Sequence, residues 1–184
     1  MQLLRRRGAS GTGLQEVLAH SGAPRGSLYF HFPGGKEQLV REAIQEAAAA
    51  VDRWLGAALD RHESAAEAVE EFLRRYAEHM AESGFAEGCP IAAVTLDVEP
   101  EGDRLRAACD WALTGWVALL AQRLRADGWP PDQAESLALT AVAALEGALI
   151  LSRARRSAEP LLAAATQTAR LLAPPGPAPS GRTV

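Results

Sequence analysis

The segment from Ser21 to Glu37, SGAPRGSLYFHFPGGKE, gathers side chains suited to gripping a polyanion. Arg25 and Lys36 are cationic, His31 can become so, Ser27 and Tyr29 bring hydroxyl donors, and Gly26 offers bare backbone. Guanidinium, ammonium and hydroxyl groups are the ones that bond phosphate oxygens and base edges. No catalytic constellation competes with them. GGKE lacks the upstream glycine and following Ser or Thr of a phosphate loop, GASGTG is not a dinucleotide fingerprint, and G-x-S-x-G is missing. His20, His31, His62 and His79 are scattered without paired ligand spacing, and Cys89 and Cys109 stand 20 positions apart with no His or Cys at ligand distance. Neither a metal site nor a disulfide framework is therefore expected, and the chain reads as a non-enzyme without a cofactor.

These groups sit in a chain of uneven charge. The 184 residues carry a net charge of −4, yet residues 1–36 hold Arg5, Arg6, Arg7, Arg25 and Lys36 against Glu16 alone, a head of +4 on a remainder of −8. A basic head on an acidic body fits a head that meets phosphate and a body that does not. Chance clustering, with Arg5 to Arg7 as a solvated charge run, is the plain alternative. No run of about 18 apolar residues is visible, nor a signal-peptide core behind MQLLRRRGAS, so a cytoplasmic chain off the membrane is expected.

Helices must position these side chains. Only 5% of residues are aromatic and the apolar content is mostly Ala and Leu, strong helix formers, so an all-α fold is expected. Thr12 suits the N-cap of a helix in which Leu14, Val17 and Leu18 recur until Ser21 and Gly22. Pro24 suits the first turn of a second, with Leu28 and Phe32 on one face, until Pro33, Gly34 and Gly35 stop it. Helix, tight turn, helix is the arrangement that lays its second helix in the DNA major groove, although many such hairpins touch no DNA.

From Lys36, the apolar rhythm through Leu39, Ile44, Ala47, Val51, Leu55 and Leu59 predicts one long helix joining head to body. Further helices are expected over 64–83, capped by Ser64 with Glu67 three residues on, and over 91–96, 104–127, 132–155 (capped by Asp132) and 159–172. The terminal APPGPAPSGRTV has no means of building a core. The chain thus divides into a helix-turn-helix domain over 1–42, a helical bundle over 43–172 and a disordered tail over 173–184. The helix from Asp132 is apolar all round and needs cover all round, either as the centre of a monomer's core or by a second copy about a twofold axis. The second choice predicts a homodimer with Leu137, Ala141, Leu145, Ala148, Leu149, Leu161 and Leu162 at its interface.

The stretch TGLQEVLAHSGAPRGSLYFHFPGGKEQLV resembles the DNA-binding head of the TetR family of transcriptional repressors. That family shows a Thr-capped helix, a small-Gly turn, a Lys/Arg-Gly-Ser/Thr-hydrophobic-Tyr-x-His-Phe run and a Lys-Glu pair. Thr12, Gly22, Arg25, Gly26, Ser27, Leu28, Tyr29, His31, Phe32, Lys36 and Glu37 match in order. GCPIAAV and EGALILSRARR further resemble the LmrA/YxaF-like subset. The resemblance implies a homodimeric repressor of double-stranded DNA that a small-molecule effector releases. Thr12, Tyr29, His31 and Lys36 match phosphate-holding positions, Arg25 and Ser27 positions near base edges, and Gly26 a point of close backbone approach, while Phe32 looks structural.

The same resemblance places an effector site in the body. Aromatic and apolar residues at helical spacing, Phe72, Tyr76, Met80, Trp111, Leu113 and Trp116, with Cys89 on a broken loop, are its expected walls, and they suit an apolar or aromatic compound. One feature departs from the family pattern: its first helix usually runs three or more turns, and here only Gln2 to Arg7 precede Gly8. A thin head keeps open a second reading, a helical small-molecule carrier that has lost DNA binding.

Overall fold

The computed structural model describes residues 1–98 and 102–175; of the tail expected over 173–184, residues 176–184 lie outside them. Among the described residues there are nine helices and no strand. The head holds α1 (Gln2–Arg7), α2 (Leu14–Ser21) and α3 (Arg25–His31), and α4 (Gly35–Arg61) runs unbroken from it into the body. There α5 (Ala65–Glu82), α6 (Pro90–Asp97), α7 (Asp103–Ala126), α8 (Pro131–Arg155) and α9 (Glu159–Leu172) complete a bundle.

The bundle forms because each amphipathic stripe finds a neighbour. α5 lies along α9, α7 packs between α4 and α8, and α8 also rests on α9. Ile44, Leu73, Met80, Leu124, Leu149 and Leu161 are sealed at the centre. Burying a side chain of this size stabilises by about 1.5–3 kcal/mol. A polar knot fixes the angle between helices: Arg123 donates to Leu59 O at 2.5 Å, His62 O at 2.8 Å and Asp127 Oδ1 at 2.8 Å, and Asp127 Oδ2 accepts from Ala65 N at 2.5 Å. The end of α4, the start of α5 and the end of α7 are thereby held together.

Ser64 caps α5 as expected, its hydroxyl accepting from Glu67 N at 3.3 Å. Asp132 does not cap α8. That helix starts at Pro131 with Pro130 as its cap, because a proline at the first position has no N–H to satisfy. α8 has the length and mean apolar composition of a membrane span, although Ser136, Thr140 and Glu146 interrupt its apolar run. In the bundle it packs against α7 and α9, as the core helix of a globular protein does.

Candidate nucleic-acid interface

The α2–α3 hairpin is set by backbone chemistry. α2 ends at Gly22, whose φ of 68° belongs to the left-handed region and whose N–H bonds Leu18 O at 2.9 Å. Pro24 then caps α3, and its carbonyl accepts from Ser27 N at 3.0 Å. α3 buries one side chain, Leu28, and leaves Arg25, Gly26, Tyr29, Phe30 and His31 exposed, with Ser27 half-buried. Residues two positions from Leu28 lie on roughly the opposite side of the helix, so Gly26 and Phe30 mark the outermost line of the head. Phe30 is 80% exposed.

Gly26 lies within α3, and apart from its chain neighbours and the helix's own backbone no atom lies within 4 Å of where a Cβ would stand. Nothing inside the molecule calls for glycine there, and in a helix glycine is about 1 kcal/mol worse than alanine. Two residues absent from the sequence reading hold this surface in shape. Gln15 Oε1 accepts from Arg25 Nη2 at 2.8 Å and Nε at 3.3 Å, which orients the guanidinium from α2. Gln38 accepts from Gly34 N at 2.8 Å and donates to His31 O at 3.4 Å and Glu42 Oε1 at 2.8 Å, tying the end of α3 to α4. Lys36 stands half-buried on the first turn of α4.

Thr12 is a correction. Gly13, not Thr12, precedes α2 as its cap, and Thr12 is 4% exposed with its hydroxyl donating to Gly8 O at 2.7 Å. The side chain closes the α1–α2 turn. Arg5 to Arg7 are paired, with Arg6 and Arg7 still exposed to solvent as a charge run would be. Arg5 lies 3.5 Å from Glu87 Oε2 and 3.3 Å from His79 Nε2, Arg6 lies 3.5 Å from Glu87 Oε1, and Arg7 pairs with Glu16. Burial pushes the Glu87 carboxyl up, but Gln2, Arg5 and Arg6 outweigh it and hold it below its ordinary value. Backbone contacts reinforce the junction: Gly88 N donates to Arg5 O at 3.1 Å, Arg153 Nη2 to Arg6 O at 2.5 Å, and Ser10 N to Asp97 Oδ2 at 3.1 Å. α1 thus fastens the head to the body.

In the body, Phe72 and Trp116 line one cavity of about 30 Å³ together with Val51, Leu55, Val142 and Leu145. The Tyr76 ring meets Phe72 edge to face at 6.0 Å, and Met80 and Cys89 are buried in the same core. Burial pushes the Cys89 thiol and the Tyr76 hydroxyl upward. Leu113 is half-buried, and Trp111 is a correction: it is 57% exposed on the outside of α7. Sequence reasoning missed Trp54 and Glu146. Trp54 is half exposed at the mouth of a groove of about 340 Å³ between α4 and α5, which shares Phe72 as a wall with the inner cavity. Glu146 is the lone charge in an apolar stretch of α8, and that isolation was the signal available.

The interface expected on α8 and α9 is also corrected. Ala141, Leu145, Ala148, Leu149 and Leu161 are at most 7% exposed within one chain, and Leu137 is half-buried, so they face the chain's own core. Leu162, at 38%, does face outward. A different stripe of α8 is bare: Leu139, Ala143, Gly147, Ile150 and Leu151, joined by Leu171 on α9.

A helix-turn-helix head carried on one long helix into an all-α bundle is the architecture of a helix-turn-helix transcriptional regulator. Residues 1–43 match the family model described as bacterial regulatory proteins, tetR family, and residues 65–167 the model for the transcriptional regulator LmrA/YxaF-like C-terminal domain. The chain belongs to the TetR family, in its LmrA/YxaF-like branch, a family of transcriptional regulators rather than enzymes. It is 43% identical to an uncharacterized HTH-type transcriptional regulator of Mycobacterium tuberculosis over 164 residues, covering 86% of this chain and 82% of that protein. With the HTH-type transcriptional regulator LmrA of Bacillus subtilis it shares 32% identity, covering 88% and 86%. Reduced NemR of Escherichia coli superposes with a TM-score of 0.81 at 26% identity, over 95% of this chain and 93% of that one. The regulator CifR, solved with a 26-base-pair operator duplex, gives 0.79 at 28% identity over 92% and 91%.

Proposed function

We propose that this regulator is a repressor that binds a near-palindromic operator as a homodimer and is released by a small-molecule effector. The observation that carries the reading is the outer face of α3, where every side chain except Leu28 and the half-buried Ser27 is exposed and Gly26 opens the backbone to close approach. Arg25 and Ser27 read base edges, Tyr29, His31 and Lys36 hold phosphates, and the side chain of Thr12 takes no part because it is buried. DNA binding places the protein in the cytoplasm, with the chromosome. The bare stripe of α8 with Leu162 and Leu171 of α9 forms the twofold contact, small residues allowing close helix approach. Two heads held in this way meet major grooves about 34 Å apart or at a related spacing. That CifR has been solved on an operator and that NemR and DhaR, at 27% and 26% identity, are named repressors supports the same reading.

The effector enters the body beside Phe72 and Tyr76. A ligand that favours one arrangement of the two heads over another by about 1–3 kcal/mol shifts affinity roughly 5- to 150-fold. One observation favours the carrier reading: Arg5, Arg6 and Arg7 are committed to Glu87 and Glu16, which leaves fewer cations for phosphate. Titration of the protein against duplex from its own upstream region and against scrambled duplex, over a salt series, separates the two. Selective binding with a steep salt slope supports the repressor, and an absence of duplex binding leaves the carrier.

A further inference from the structure

Glu146 places a carboxylate in the body with both oxygens sealed from solvent, and the only donor set against it is the weak one of the Cys89 thiol, outside good hydrogen-bond geometry. Burial raises its carboxyl above the ordinary value. Beside it lie the hydroxyl-bearing ring of Tyr76 and the thiol of Cys89, a weak donor. Glu146 follows Val142 by one helical turn and Leu145 by one residue, and both of those line the cavity walled by Phe72 and Trp116. Trp116, only 3% exposed, adds a second unanswered group, for its indole N–H is also buried without an acceptor.

Buried polar atoms are nearly always satisfied, and an unpaired carboxylate is among the most unfavourable groups to enclose. The surrounding rings supply the other half of a recognition site. Tyr76 is met edge to face by Phe72 at 6.0 Å and by Trp54 at 6.5 Å, and aromatic faces attract cations. Phe72 is the shared wall between the inner cavity of about 30 Å³ and the outer groove of about 340 Å³, so a single side chain separates the two spaces.

The geometry points to an effector that is an aromatic organic cation, with its ammonium or amidinium group on the Glu146 carboxylate and its ring against Phe72 and Tyr76. This rests on the effector-site reading above and gives it a ligand class. An amidinium fits well, since two parallel N–H bonds answer both carboxylate oxygens at once.

The probes are benzamidinium and benzylammonium, set against their neutral near-isosteres benzamide and benzyl alcohol, with Tm and release of bound duplex as readouts. The expected result is that the cations raise Tm and release duplex at concentrations at least tenfold below the neutral compounds, and that Glu146→Gln abolishes the difference. The unliganded Glu146→Gln protein should melt at or above the parent temperature, because an unanswered carboxylate has been removed. The inference is overturned if cations and neutral compounds act alike, if no probe acts, if Glu146→Gln keeps the preference, or if that variant melts several degrees lower, which would mark Glu146 as satisfied from within. Should the neutral compounds release duplex as well as the cations, the effector site stands and its charge preference falls. Should cations raise Tm through Glu146 without releasing duplex, the site stands and its coupling to DNA falls.

Discussion

At the scale of the residue, the recognition surface separates charge from shape. Replacing Arg25 by alanine should weaken operator binding by about 1–3 kcal/mol and relax base preference at its position, whereas Lys36→Ala should weaken all duplexes alike and lower the salt slope by about one. Competition binding over a salt series distinguishes them. Gly26→Ala is the sharper test, because its two effects run in opposite directions. The helix should gain up to about 1 kcal/mol in stability, since nothing in the chain meets the new methyl group, while duplex affinity falls. A variant that melts higher and binds as well as the parent would remove Gly26 from the interface. Matching motif residues pointed to Arg25 and Tyr29, but Gln15, which orients Arg25, and Gln38, which ties the end of α3 to α4, have no pattern of their own. Their role exists only once α2, α3 and α4 are set against one another.

At the scale of the element, α1 is decided by its contacts rather than by its sequence. Gly8, which ends it, has a φ of 68°, and a Cβ there would stand 2.1 Å from Asp97 Oδ2, the oxygen that holds Ser10 N. Gly8→Ala should therefore destabilise the head by about 1–3 kcal/mol, read as lower protection of head amides in hydrogen exchange with the body unchanged. The junction should also respond to acid. Glu87 is held below its ordinary value of 4.5 in the folded state, so its contribution is complete above that value and is lost as pH falls through the depressed folded value. Limited proteolysis below pH 4.5 should cut the head before the body, and Glu87→Gln should remove that difference. Periodicity found α5 and α9 almost to the residue, because each has one apolar face. It misplaced the contact face of α8, where apolar residues on all sides leave no phase to read, and only the packing of α7 and α9 shows which side is free. Thr12 was misread for a related reason: a Thr before a helix reads as a cap, and the turn that buries it instead is a tertiary fact.

At the scale of the whole molecule, the twofold contact proposed for the bare stripe of α8 would make assembly a condition of operator binding. Ile150→Glu places a charge on that stripe at a residue that is 56% exposed in the single chain, so the bundle itself should keep its Tm within about a degree of what assembly alone accounts for. Sedimentation should show the monomer, and operator affinity should fall by orders of magnitude because two heads no longer bind as one. A variant that stays dimeric would move the interface elsewhere. The all-α class and the division of labour between a basic head and an acidic body were legible from composition and charge. The inner cavity was half legible, since aromatic spacing found Phe72 and Trp116 but could not tell them from Trp111, which faces solvent.

The short first helix has a consequence for the order of events during synthesis. Six residues are too few for a helix to persist alone, and the carbonyls that close α1 are held by the N–H of Gly88 and the side chain of Arg153. At about 5–20 residues per second, on the order of ten seconds pass between the emergence of the head and that of Arg153. The contacts that steady α1 are therefore completed only once α8 has emerged. A chain that stops before α8 already carries the anchors at Glu87, Gly88 and Asp97 and lacks only that of Arg153, so the head is steadied in two stages.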